Sequence, residues 1–188
     1  MAGNGKILIV GGDESNHASK NRKGEIIVAT FSFDQEDSIV QDFGRRRNHS
    51  ALQKWLASEG RDSRFTIIHD EILTRFQPLV PLVMPYLIDP FLQENPDIET
   101  LKLYVDGRLT TYQKGYLRGH FEHLVPNFII DNFVKKNRNS RCPTSVYMVD
   151  VLANRLYKTP FDQLAEDKRF IPMSVEREKK LIDLICSK

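Results

Sequence analysis

Acidic residues stand at four places in this chain where a carboxylate can do chemistry. "KILIVGGDES", residues 6–15, closes an apolar run with Asp13 and Glu14, and "LKLYVDGRL", 101–109, carries Asp106 after another. "NFIID", 127–131, ends in Asp131, and Asp150 interrupts the apolar stripe of Met148, Val149, Val151 and Leu152. In open α/β sheets, sites form beyond the carboxyl ends of the strands. Carboxylates that converge there repel one another and are costly to desolvate unless a cation joins them. With no Cys/His set competing, oxygen donors suit Mg²⁺ or Mn²⁺ better than Zn²⁺. Two such ions about 4 Å apart can activate a water and steady the leaving oxygen of a phosphodiester. That is a physical route from these residues to a nuclease.

Each acid also has a plainer reading. Asp106-Gly107 is a common turn signal, because Asp bonds its own backbone and Gly takes positive φ. Asp131 fits a strand-end cap, and Asp150 a core salt bridge to Arg155 or Arg141. The conjunction, in strand order, is stronger than any one member.

The elements that must position these residues follow from periodicity. Residues 6–11 and 25–33 read as two strands joined in a long-looped hairpin. An acidic turn, 34–38, leads to Arg45, Arg46 and Arg47, and 49–60 reads as a helix ended by Gly60. Strands are expected at 64–70, 101–109 and 127–131, and helices at 110–124, 144–158 and from Ser174 onward. The stretch 71–92 is helical in apolar density but holds Pro78, Pro81, Pro85 and Pro90, which predicts kinked or consecutive short helices. The order is that of an α/β protein with a mixed sheet of about five strands flanked by helices.

With 188 residues the chain is long enough for one core, and 40% hydrophobic with 28% charged residues is an ordinary globular composition. The net charge of +2, from 27 basic and 25 acidic residues, announces no nucleic-acid binder, so basic function must be local. Cys142 and Cys186 have no metal-ligand spacing and suit a reducing compartment. The run Ile7–Val10 is too short for a signal-peptide core and no run approaches a membrane span, so a cytoplasmic protein is expected.

The order and motifs resemble the ribonuclease H-like superfamily, and within it type 2 ribonucleases H (ribonuclease HII). Asp13-Glu14 is similar to that family's first-strand Asp-Glu pair, and "YVDG", 104–107, to its Val-Asp-Gly strand end. The segment 45–60 stands where the family has a basic stretch leading into a helix. "CPTSVYMVDVLAN", 142–154, is similar to its Pro-x-x-Val-x-x-Ala-Ser-x-x-Ala-Lys helix, with Pro143, Val146 or its neighbour, and Ala153 in register. "SNHAS", 15–19, replaces the family's Gly-Arg-Gly, and Asp150 and Asn154 stand for its Ser and Lys. "DES", 13–15, and "VDVLAN", 149–154, also resemble small bacterial proteins of unknown function with an Asp-Glu-Ser opening and an Ala-Asp-Leu-Leu-Ala-type helix.

The resemblance implies a ribonuclease H-like domain over 1–160, followed by a loop and helix, 161–188, packed on that domain or on a partner. It implies Asp13, Glu14 and Asp106 as catalytic metal ligands, completed by Asp150 or Asp131, with Mg²⁺ or Mn²⁺ as cofactor. Arg45, Arg46, Arg47, Lys135, Lys136 and Arg141 would contact phosphates of RNA, DNA or a hybrid; the arginine triplet could equally be a solvated loop countering residues 34–38. His17 is a candidate proton shuttle or an exposed loop residue, and His120 and His123 read as helix-surface residues. The missing Gly-Arg-Gly implies a substrate different from that of a true ribonuclease HII. It also supports an alternative, a catalytically inactive binding or assembly module. Gly11-Gly12-Asp13-Glu14 is similar to the signature of cyclic-dinucleotide synthases as well. That family needs an aromatic where Ser15 stands, and further binding residues upstream of Gly11, so this reading is set aside.

Overall fold

The computed structural model describes residues 6–14, 24–33, 38–40, 49–69, 79–133 and 141–186. Along the chain these form β1 (Lys6–Glu14), β2 (Glu25–Ser32), β3 (Ser38–Val40), α1 (His49–Leu56), β4 (Arg61–Ile68), α2 (Val80–Glu94) and β5 (Ile98–Asp106). There follow α3 (Thr111–Phe121), β6 (Asn127–Phe133), β7 (Arg141–Pro143), α4 (Thr144–Lys158), α5 (Phe161–Ala165) and α6 (Val175–Cys186).

Five strands make the expected mixed sheet, in the order β4-β2-β1-β5-β6. β1 pairs antiparallel with β2, the predicted hairpin, and β2 antiparallel with β4. On the other side β1 pairs parallel with β5, and β5 with β6. β1 is therefore central, and helices cover both faces. Leu8 and Val10 join α2 and α3 in one apolar cluster, while Ile26, Val28 and Phe65 join α1 and α4 in the other. Leu181, Ile182 and Ile185 of α6 pack on the first cluster. Beyond β4, backbone bonds from Phe65 N–H to Arg169 (3.0 Å) and from Ile171 N–H to Phe65 (2.8 Å) cover part of that edge strand. Among the described residues no helix is long and apolar enough to cross a membrane.

Three expectations need correction. Residues 80–94 form one helix, not several short ones; residues 71–78 lie outside the described part. Pro81 sits in the first turn, where its missing N–H has no intrahelical bond to lose. Pro85 and Pro90 each remove a bond, at about 3 kcal/mol apiece. Ten buried residues in this helix offset that, since each large apolar side chain contributes about 1.5–3 kcal/mol. Secondly, a two-stranded ribbon of β3 and β7 occupies part of the stretches read as turn and loop, with Val40 opposite Arg141. Thirdly, boundaries shift: the helix from residue 49 stops at Leu56, β4 begins at Arg61, and β5 begins at Ile98 and ends at Asp106. Gly60, with φ of 71°, provides the left-handed turn into β4.

Candidate functional site

Successive residues of a strand face opposite sides of the sheet, and β1 stays a strand through Glu14. Gly11 and Gly12 show which side is which. A Cβ at Gly11 would stand 2.5 Å from the backbone oxygen of Ser145, in α4, whereas one at Gly12 would stand 2.8 Å from Met84 Sδ, in α2. The two glycines thus let helices approach both faces of the central strand immediately before its acids. By the same alternation Asp13 belongs to the α4 face and Glu14 to the α2 face.

Asp106 comes beside Asp13 through the sheet. The parallel register ends with Gly12 opposite Val105, so Asp13 and Asp106 are the next residues of neighbouring strands that run about 4.8 Å apart. Asp150 arrives from above. Ser145 lies over Gly11, and its carbonyl accepts a 3.1 Å hydrogen bond from Thr30 Oγ1. Five residues on, about 7.5 Å along the helix axis, is Asp150.

The electrostatics agree with this placement. Burial pushes the Asp13 carboxyl well above the usual carboxylate range, and the charges of Asp106 and then Asp150 push it further; the bond it accepts from Glu14 N–H at 2.8 Å opposes them. Asp106 from β5 and Asp150 from α4 therefore both act on Asp13 of β1. Glu14 is also pushed up, first by burial, but the α2 N-terminus holds it: its Oε2 accepts from Leu79 N–H at 3.2 Å. Asp106 also acts on Glu14.

Asp131 does not join this group. β6 lies on the far side of β5, about 9.6 Å from β1. Asp131 is exposed within that strand, opposite Tyr104, and its Oδ1 accepts from Asn132 N–H at 2.7 Å. Arg45, Arg46, Arg47, Lys135, Lys136 and His17 lie outside the described residues; of Arg141 only the backbone, in β7, is described. His123 is exposed as expected. His120 is not a plain surface residue: its Nε2 lies 2.8 Å from Asp89 Oδ1, bridging α3 and α2.

One acid escaped the sequence reading. Glu25, the buried first residue of β2, is raised to about 7 by burial and by the charge of Glu14. It shares the α2 face with Glu14, since Glu14 pairs with Ile27 and side chains two apart face the same way.

Among the described residues no group of three or more His, Cys, Asp or Glu side chains is arranged to hold a metal ion. The donor chemistry nevertheless fits a hard divalent cation. Asp13, Asp106 and Asp150 offer only oxygen, and their mutual repulsion at Asp13 is what such an ion relieves.

The sequence matches no protein-family model and no curated protein. Among solved structures the chain is similar to one from the PCNA:RNase HII complex of Archaeoglobus fulgidus, at 11% identity over 96% of this chain and 89% of that one, with a TM-score of 0.44. It is similar also to the human cytomegalovirus terminase nuclease domain, at 11% identity over 96% of this chain and 76% of that one, with a TM-score of 0.30.

Proposed function

We propose that this chain is a divalent-metal-dependent hydrolase of nucleic-acid phosphodiester bonds on a ribonuclease H-like fold. The observation that carries the reading is that the charges of Asp106, from β5, and Asp150, from α4, both act on the buried Asp13 of the central strand β1. These three would hold Mg²⁺ or Mn²⁺, and the bound ion would supply a nucleophilic water and charge stabilisation at phosphorus. Glu14 lies within the field of Asp106 but is bonded to Leu79, so it serves as a fourth ligand only by exchanging that hydrogen bond for an ion.

The chain's own residues do the rest. Gly11 and the Thr30–Ser145 hydrogen bond fix the height of α4 over β1, and hence of Asp150 over Asp13.

Labelled DNA, RNA and hybrid substrates incubated with Mg²⁺ or Mn²⁺ test the reading. Cleavage is expected with at least one of them and is expected to fall by about a hundredfold or more in Asp13→Asn and Asp106→Asn. No cleavage beyond the Asp13→Asn control in any combination would sink it. A second reading, a non-catalytic binding or assembly module, is favoured by the lack of a pre-arranged metal-holding group among the described residues. It predicts nucleic-acid binding without cleavage, unchanged in Asp106→Asn.

A further inference from the structure

On the other face of the sheet from Asp13 and Asp150, helices α2, α3 and α6 leave a cleft of about 410 Å³ between them. That volume lies in the range of small-molecule sites. Three helical stripes line it. α6 contributes Arg177, Lys180, Leu181 and Leu184, spaced as one face of a helix. α2 contributes a floor that includes Leu82 and Val83, with Tyr86 and Asp89 along its rim, and α3 contributes Tyr116 and His120, one turn apart.

The polar groups here are placed rather than scattered. Asp89 holds His120 through its Nε2 at 2.8 Å, which leaves Nδ1 as the ring's other polar atom. The Tyr86 hydroxyl is anchored on the carbonyl of Pro172, and the Arg177 guanidinium stacks over the Tyr86 ring, 4.3 Å from its centroid. A guanidinium held by its face keeps its edge N–H donors for an anion, with little ordering left to do. Among the described residues no carboxylate pairs with Arg177, whereas Lys180 has Glu176 at 3.6 Å. Tyr116 is raised above the usual phenol range, first by burial, and so remains a neutral hydroxyl donor. The cleft therefore has an apolar floor, the Arg177 guanidinium held on Tyr86, and the neutral Tyr116 hydroxyl as a donor on the α3 wall.

We infer that this cleft is a binding site for a small organic anion, an aromatic or alkyl body bearing one phosphate monoester or carboxylate, with the charge on Arg177 and the body against Leu82, Val83 and Leu184. The site is separate from the carboxylate cluster and does not depend on the metal reading.

The test is calorimetric titration of the full chain with 1-naphthyl phosphate, inorganic phosphate and 1-naphthol, in EDTA so that no metal site contributes. Saturable binding of 1-naphthyl phosphate is expected, with the other two at least about tenfold weaker because each supplies half of the recognition. Arg177→Gln, at an exposed position where the fold is not at stake, is expected to weaken 1-naphthyl phosphate about tenfold. Lys179→Gln, on the same helix but outside the cleft, is expected to leave it unchanged. No saturable binding, inorganic phosphate binding as tightly as 1-naphthyl phosphate, or full affinity retained in Arg177→Gln would each overturn the inference.

Discussion

The most informative single change to the fold is Gly11→Ala, with Gly12→Ala as its partner experiment. At Gly11 the new Cβ would stand 2.5 Å from Ser145 O, 2.7 Å from its carbonyl carbon and 2.9 Å from Thr30 Oγ1. Backbone cannot rotate away as a side chain can, so α4 must lift off β1. Overpacking of this kind costs about 1–3 kcal/mol. The shift also breaks the buried Thr30–Ser145 hydrogen bond, which adds about 1 kcal/mol. Against this, replacing glycine reduces the freedom of the unfolded chain and returns about 0.4–1 kcal/mol. The net expectation is a loss of about 2 kcal/mol. At Gly12 the nearest atoms are Met84 Sδ at 2.8 Å and Val80 Cγ1 at 3.1 Å. Methionine is the most adaptable of core side chains, so the strain there nearly cancels against the same entropic gain and the expected loss is under about 1 kcal/mol. Urea unfolding of the three proteins, with the slope checked for constancy, measures both values. Greater damage from Gly12→Ala than from Gly11→Ala, or a Gly11→Ala protein that unfolds at the wild-type midpoint, would contradict this.

Two further outcomes follow from side chains away from the glycines. Glu25 has its carboxyl raised by folding, so its stabilising contribution is complete at low pH and lost as pH climbs through about 7. The rise from 4.5 to about 7, at ~1.4 kcal/mol per pH unit, bounds that loss at about 3.5 kcal/mol. Glu25→Gln is thus expected to be more stable than wild type above neutral pH and to show a shallower fall of stability between about pH 4.5 and pH 7; an unchanged slope in urea melts contradicts this. Asp13 and Glu14, shifted in the same direction, leave a residual slope of the same sign. Thr110 caps α3 reciprocally: its Oγ1 accepts from Gln113 N–H at 3.2 Å, and Gln113 Oε1 accepts from Thr110 N–H at 2.8 Å. Thr110→Ala is expected to cost about 1 kcal/mol in the same assay, and a loss below about 0.3 kcal/mol contradicts the role.

Much of the sheet was legible in the sequence because its strands are apolar and β1 and β5 end in acids, and α4 because an apolar stripe, broken only by Asp150, runs from Val146 to Leu156. Asp150 stood out for a physical reason, an acid on that stripe. What escaped was decided by neighbours distant in sequence. β3 and β7 have three residues each, too few for any periodicity to show, and exist because they pair. The prolines of α2 are local breakers overruled by burial on β1 and β2. Glu14 was read together with Asp13 because the strand was expected to stop at Gly11; once it runs through Glu14, alternation separates the two acids. Asp131 was read as a strand end, but β6 continues to Phe133 and leaves it on an outer strand. Glu25 gave no sign at all, since only the β1–β2 register brings it near Glu14.

The central claim is that Asp13, Asp106 and Asp150 form one cation site. A crystal structure of the protein soaked in Mn²⁺, with the ion located by its anomalous scattering, tests it most directly. Manganese is expected to be bound by carboxylate oxygens of all three residues, with Asp131 outside the coordination sphere. No ion among these three acids, or one held elsewhere, would contradict it.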